Sequence, residues 1–210
     1  MDMSSPMSTV VQTLDGPVLA VLAGTTAPLT GRRIHQLART GSERGVLNVL
    51  HRLAGTGLVD AARVGASIQF TLNRDHVAAA AVLQLTELRP LLFDRFRETI
   101  NAWDVQPDHA SIFGSTARGD GDLDSDIDLL LVHGFDDPPA AWTDQLGDLG
   151  DQTRRWSGNY LQIYDISRAG LLAHLEAGEP IVNDWKSDAV RIHGPEIRTF
   201  IHRLTHQESA

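Results

Sequence analysis

Residues 113–132 read FGSTARGDGDLDSDIDLLLV. Aspartate stands at 120, 122, 124, 126 and 128, and the last leads straight into Leu129, Leu130, Leu131 and Val132. Asp120, Asp122 and Asp124 sit among glycines and fit a solvated acidic loop. Asp126 and Asp128 do not. In a strand, residues two apart point to one face, with Cα atoms about 6–7 Å apart. Two carboxylates so placed, with Ile127, Leu129 and Leu131 turned to a core, repel each other and resist desolvation. A divalent cation removes that penalty, and carboxylates together with phosphate oxygens are what Mg2+ prefers.

Two rival readings fail. A calcium loop begun at Asp120 needs Gly at its sixth position, where Ser125 stands, and Glu at its twelfth, where Leu131 stands. It also needs a flexible loop, which the apolar strand denies. A phosphate loop of the Walker type needs Lys-Ser or Lys-Thr after the Gly-rich stretch, and neither follows.

What remains is a strand (ASIFG), Gly114-Ser115, a polar turn, and Asp126-Ile127-Asp128 entering a second strand. This resembles the signature of the DNA polymerase β-like nucleotidyltransferases: an apolar residue, Gly-Ser, a spacer, then Asp-x-Asp flanked by apolar residues. FGSTARG and SDIDLLLV are similar to the small "minimal" members from bacteria and archaea. The resemblance covers about residues 105–135 well, and the rest of 86–210 in element order. It implies an NTP substrate, with ATP favoured, and Mg2+ as cofactor. Gly114 would let the chain approach the triphosphate, and Ser115 would bind a phosphate oxygen at the start of a short helix. Asp126 and Asp128 would hold two Mg2+ ions that polarise the α-phosphate and stabilise the leaving pyrophosphate. Arg118 and Ser125 would add phosphate contacts, a solvated arginine being the competing reading for Arg118.

The resemblance also implies a third acid on a neighbouring strand, which helps bind metal and accepts the proton of the attacking hydroxyl. NYLQIYDIS is the strand in question, and it offers Gln162 between Leu161 and Ile163. An amide is no base at neutral pH. Asp165 is the nearest carboxylate and so the candidate third catalytic acid, but its parity groups it with Leu161 and Ile163. Only a bulge would turn it inward; otherwise it ends the strand or caps the next helix. Lys186, the sole lysine, reads as an exposed helix residue, and Trp156 and Trp185 as packing. Tyr160 and Tyr164 share a face with Gln162 and would pack or stack on a base.

The 210-residue chain carries a net charge of -9 and no cysteine, which excludes a disulfide framework and a thiolate metal site. No apolar run is long enough for a membrane span. The opening MDMSSPMSTVVQTLDG lacks a basic region followed by an apolar stretch, so no signal peptide and a cytoplasmic location are expected. Residues 1–85 carry seven Arg against five acids, while 86–210 carry eleven basic residues against twenty-two acids. That asymmetry predicts two units with different partners.

In the first unit, residues 18–23 form a short apolar helical run. Thr30 would cap a helix with Ile34, Leu37 and Ala38 on one face. Ser42 would cap a third helix through Leu53, with Val46, Val49, Leu50 and Leu53 at helical spacing. GTGLVDAARVGASIQFTLN then gives a hairpin about Gly65. This order is that of a winged helix-turn-helix, and the hairpin is similar in pattern to the wing of MarR- and ArsR-type regulators. Ser42–Leu53 would be the recognition helix, with Arg44, Asn48, His51 and Arg52 outward. Arg32, Arg33, Arg39 and Arg63 would meet phosphates.

The expectation is therefore an α+β chain. Residues 1–14 form a flexible tail and 15–85 a winged helix-turn-helix. Residues 86–210, opened by a connecting helix, form a polymerase-β-like nucleotidyltransferase α/β domain. It would be a Mg2+-dependent enzyme moving AMP from ATP to a hydroxyl on a protein, RNA or small molecule. The alternative is a DNA-binding regulator whose second domain senses nucleotide without turnover. DNA and a homodimer are the expected partners of the first domain, which as a winged helix would serve equally as a protein-binding module.

Overall fold

The computed structural model describes residues 1–207. It is a mixed α+β structure with two sheets, divided into two compact units, Ser5–Arg89 and Pro90 onward together with Met1–Ser4. Among the described residues no helix is long and apolar enough to cross a membrane.

The first unit opens with α1 (Asp15–Ala23), β1 (Leu29–Thr30), α2 (Gly31–Ala38) and α3 (Glu43–Gly55). The strands β2 (Val59–Val64) and β3 (Ser67–Leu72) and the helix α4 (Ala79–Thr86) complete it. The caps form as the sequence demands. The Thr30 side chain accepts from the Arg33 N–H, and that of Ser42 from the Gly45 N–H. Gly65 turns the hairpin with φ of 60°. The sheet is antiparallel in the order β1-β3-β2. Its first strand is only two residues long, paired through Leu29 to Phe70. Val18, Leu22, Ile34, Val46, Leu50 and Phe70 fill the core beneath it.

The second unit begins with α5 (Leu88–Asn101), β4 (His109–Phe113), α6 (Gly114–Arg118) and β5 (Ile127–His133). Then come α7 (Ala140–Ser157), β6 (Leu161–Ser167), α8 (Arg168–Glu176), α9 (Pro180–Asp188), β7 (Val190–His193) and α10 (Ile197–Gln207). The sheet order is β6-β5-β4-β7, with β5 and β6 parallel and the other pairs antiparallel. The parallel pair needs a crossover, which α7 supplies. Both sheet faces are covered, which is why β5 reads as a nearly unbroken apolar run. Ile127, Leu129 and Leu131 pack with Phe96, Ile100, Trp142 and Leu149 of α5 and α7. On the other face Phe113, Leu130 and Val132 pack with Leu171, Trp185 and Phe200 of α8, α9 and α10.

The first fourteen residues are not a loose tail. Met3 and Met7 are each only 2% exposed, Met3 in the core of the second unit and Met7 in that of the first. Two long apolar side chains in a polar stretch are worth burying, and they order the backbone around them.

Candidate functional site

β4 ends at Phe113, and Phe113 pairs in register with Asp128. Gly114 then turns the chain with φ of 67°, in the left-handed region that glycine tolerates. A Cβ on Gly114 would lie 2.5 Å from Asp128 Oδ2, so the backbone runs against the carboxylate itself. Ser115 follows within α6. Thr116 Oγ1 donates to the Asp126 carbonyl at 3.4 Å and ties this helix to the start of β5. Asp126 is exposed just before the strand, and Asp128 is half-buried within it. Burial, then the charges of Asp126 and Asp184, push the Asp128 carboxyl above its ordinary range, and Arg118 opposes them. Burial and the neighbouring charge act in the direction that the sequence spacing predicts.

The loop between them is closed by its own side chains. Ser125 Oγ donates to Asp122 Oδ1 at 2.8 Å and accepts from the Asp122 N–H at 2.9 Å. The Asp124 N–H also donates to Asp122 Oδ1. These bonds, that of the Ser125 hydroxyl first, hold Asp122 below the usual carboxylate range. Ser125, expected at a phosphate, therefore has its hydroxyl committed to the loop. Asn159, only 2% exposed, anchors the same loop by donating from Nδ2 to the Ser125 carbonyl at 2.9 Å.

Arg118 is not a free solvated arginine. Its Nη1 donates to Asp188 Oδ2 at 2.6 Å and its Nε to Asp120 Oδ2 at 3.1 Å. Those bonds raise its pKa further, and Arg118 holds Asp188 below the carboxylate range in return. Asp188 belongs to α9, which packs along α6. The sequence reading missed Asn159, Asp184 and Asp188. For the last two, the available signal was two acids at i and i+4 flanking the core residue Trp185.

The parallel ladder sets Gln162 directly beside Asp128. The position where a third acid was sought thus carries an amide. Asp165 lies opposite Leu131 in that ladder, on the other face of the sheet, and no bulge turns it round. Its Oδ2 accepts from Trp142 Nε1 at 3.0 Å and its Oδ1 lies 3.5 Å from His133 Nε2. Asp165 is therefore not brought to the aspartate pair; it satisfies a buried indole. Among the described residues, no three His, Cys, Asp or Glu side chains are grouped to hold a metal ion.

In the first unit, Arg44, Asn48, His51, Arg52 and Arg63 are all exposed. His51 and Arg63 line one cleft of about 400 Å³ with Ala61, Ala66 and Ile68. Arg52 is drawn away into an ion pair with Asp15 of α1.

Residues 96–154 match the family model of a nucleotidyltransferase domain. The match runs from the middle of α5 through β4, α6 and β5 into α7, and so contains Gly114, Ser115, Asp126 and Asp128. It supports generic nucleotidyl transfer, with an NTP as substrate, as the chemistry of this region. It stops before Gln162 and Asp184. No curated protein matches the chain.

Proposed function

We propose that the second unit moves a nucleoside monophosphate, AMP from ATP, to a hydroxyl on a protein, RNA or small molecule and releases pyrophosphate. Asp128 carries this reading. It is half-buried, repelled by Asp126, and pressed against the one backbone turn, Gly114-Ser115, that a triphosphate would approach. Paired carboxylate oxygens are hard donors, so the donor set suits Mg2+. Mg2+ held by Asp126 and Asp128 would polarise the α-phosphate and stabilise the pyrophosphate oxygens. Ser115 would bind a phosphate oxygen through its hydroxyl. Arg118 would reach phosphate only by giving up Asp120 or Asp188, so its contribution is conditional on nucleotide being present.

Calorimetry with ATP tests the reading. Wild type is expected to bind ATP with Mg2+ and not without it. Asp126→Asn/Asp128→Asn is expected to lose binding by at least about 100-fold, the equivalent of about 3 kcal/mol. Failure of the wild type to bind any Mg–NTP would remove the proposal.

A second reading rests on Gln162 beside Asp128: a site that binds nucleotide and turns it over slowly or not at all. The first unit, as a winged helix with α3 in the major groove, would then act as a nucleotide-responsive DNA-binding regulator. One such module buries little DNA surface, so this reading includes a homodimer. In fluorescence anisotropy, Arg44→Ala with Arg63→Ala is expected to weaken DNA binding at least about tenfold and to flatten its salt dependence by about two counterions. A salt slope unchanged by both substitutions would point to a protein partner for this face instead.

A further inference from the structure

We infer that Asp188 of α9 restrains Arg118 at rest and yields it to the triphosphate, so that nucleotide binding and the seating of the last turn of α9 compete for one guanidinium. The inference rests on the nucleotide-binding part of the reading above and adds to it a regulating contact outside the matched region.

The contact is built from both sides. Arg118 stands one turn after Ser115 on α6, and residues three apart share a helix face. The side chain that would follow Ser115 to a phosphate is instead held by two carboxylates. Asp188 takes Nη1 at 2.6 Å and Asp120 takes Nε at 3.1 Å. Two carboxylates on one guanidinium leave the group with a net negative charge, so at rest it offers an incoming polyphosphate no attraction. The two holders are unequal. The Asp120 side chain is 61% exposed on the acidic loop, where an ion pair is weak. That of Asp188 is only 18% exposed, and its second oxygen, Oδ1, accepts from the Ser187 hydroxyl at 2.8 Å, which fixes the carboxylate. Asp188 therefore sets where Arg118 rests.

The same contact serves α9. Asp188 is the last residue of that helix, where the unpaired carbonyls disfavour a carboxylate. Arg118 supplies a cation at that end and ties α9 to α6, on which it packs. A triphosphate at Gly114-Ser115 offers the guanidinium a stronger partner, because phosphate oxygens are multiply charged and match its planar fork. When Arg118 turns to phosphate, Asp188 loses its cation at the negative end of the helix, and the last turn of α9 loosens. The relation is reciprocal. The factor by which nucleotide weakens the Arg118–Asp188 pair is the factor by which the pair weakens nucleotide binding.

The test uses the full chain, following Mg–ATP binding by calorimetry and α9 by hydrogen exchange. Asp188→Asn keeps the shape and removes the charge. It is expected to tighten Mg–ATP binding by about three- to tenfold, the range that a partly buried ion pair carries. Arg118→Ala is expected to weaken binding by at least about fivefold, and adding Asp188→Asn to it is expected to change nothing further. In the wild type, the amides of residues 184–188 are expected to exchange at least about fivefold faster with saturating Mg–ATP than without it, a measurement that needs no variant. Native or weaker Mg–ATP binding by Asp188→Asn overturns the inference. A gain that persists without Arg118 also overturns it, because the carboxylate would then act on the nucleotide by its charge alone. So does exchange in α9 that Mg–ATP slows or leaves unchanged. A wild type that binds no Mg–NTP overturns the nucleotidyl-transfer reading itself, and the inference falls with it.

Discussion

Gly114→Ala is expected to fold and to lose Mg–ATP binding by about 100-fold or more. Two costs act at one atom. The alanine must hold a left-handed backbone, at about 1–2 kcal/mol. Its Cβ must also find room where Asp128 Oδ2 stands at 2.5 Å. The backbone on either side does not yield easily, because Phe113 is locked in the ladder to Asp128 and Thr116 is tied to the Asp126 carbonyl. The carboxylate must therefore swing away from its position beside Asp126. Displacing a carboxylate that faces a bound cation is worth about 3 kcal/mol of binding, or roughly 100-fold. The backbone cost alone should lower the melting temperature of this unit by roughly 3–8 °C. Calorimetry and a thermal melt on the same sample check both parts. Native affinity in the alanine variant would mean that the triphosphate does not approach this turn.

Lowering the pH from 7 toward 4 is expected to destabilise the second unit through one buried histidine. His109 is fully buried, stacks on Phe200, and has both ring nitrogens occupied. Nδ1 donates to the Pro195 carbonyl at 2.9 Å, and Nε2 accepts from the Ser111 hydroxyl at 3.0 Å. Burial lowers its pKa to about 4, against the opposing pull of the Pro195 carbonyl and with help from the nearby His193 and Arg191. Between its ordinary value of 6.5 and about 4, the unfolded chain holds a proton on this ring that the folded chain does not. Stability therefore falls as pH drops through that window and levels off below it, by about 3 kcal/mol in all. Asp128, held above its ordinary range, binds its proton more readily when folded and offsets a part of the loss.

Trp103, Trp142, Trp156 and Trp185 all lie in the second unit, so tryptophan fluorescence follows it alone. The urea midpoint is expected to fall by roughly 1 M or more from pH 7 to pH 4.5, and His109→Gln is expected to flatten that slope. A midpoint that holds steady down to pH 4.5 would show that His109 does not control the acid response.

The sequence told most about features that are local. Thr30 and Ser42 cap their helices, Gly65 turns the hairpin, and parity alone put Asp165 and Gln162 on opposite faces of β6. Local pattern is weakest where partners come from far along the chain. β1 is only Leu29-Thr30, too short for any period, and exists because β3 lies beside it. Ser125 looked like a phosphate ligand from its place next to Asp126, yet the nearer demand of Asp122 takes its hydroxyl. Asn159 and Asp188 act on residues 34 and 70 positions away, and nothing in their own neighbourhoods names those partners. The Asp-x-Asp pair stood out in the sequence because Asp128 falls inside an apolar strand, and that strand begins at Ile127, directly after Asp126.

Met3 gives the second unit a history as well as a core. Met3 is synthesised well before the rest of that core, which runs from Leu92 to Ile192. During synthesis Met3 must wait, exposed, until the chain through Ile192 has emerged. The same short segment then braces the acidic loop, because the Ser4 N–H donates to the Gly121 carbonyl at 2.9 Å. A shortened chain begun near Pro90 would thus lack both a core side chain and a strut on the loop that leads to Asp126. It would be a poor stand-in for the intact molecule in any nucleotide assay.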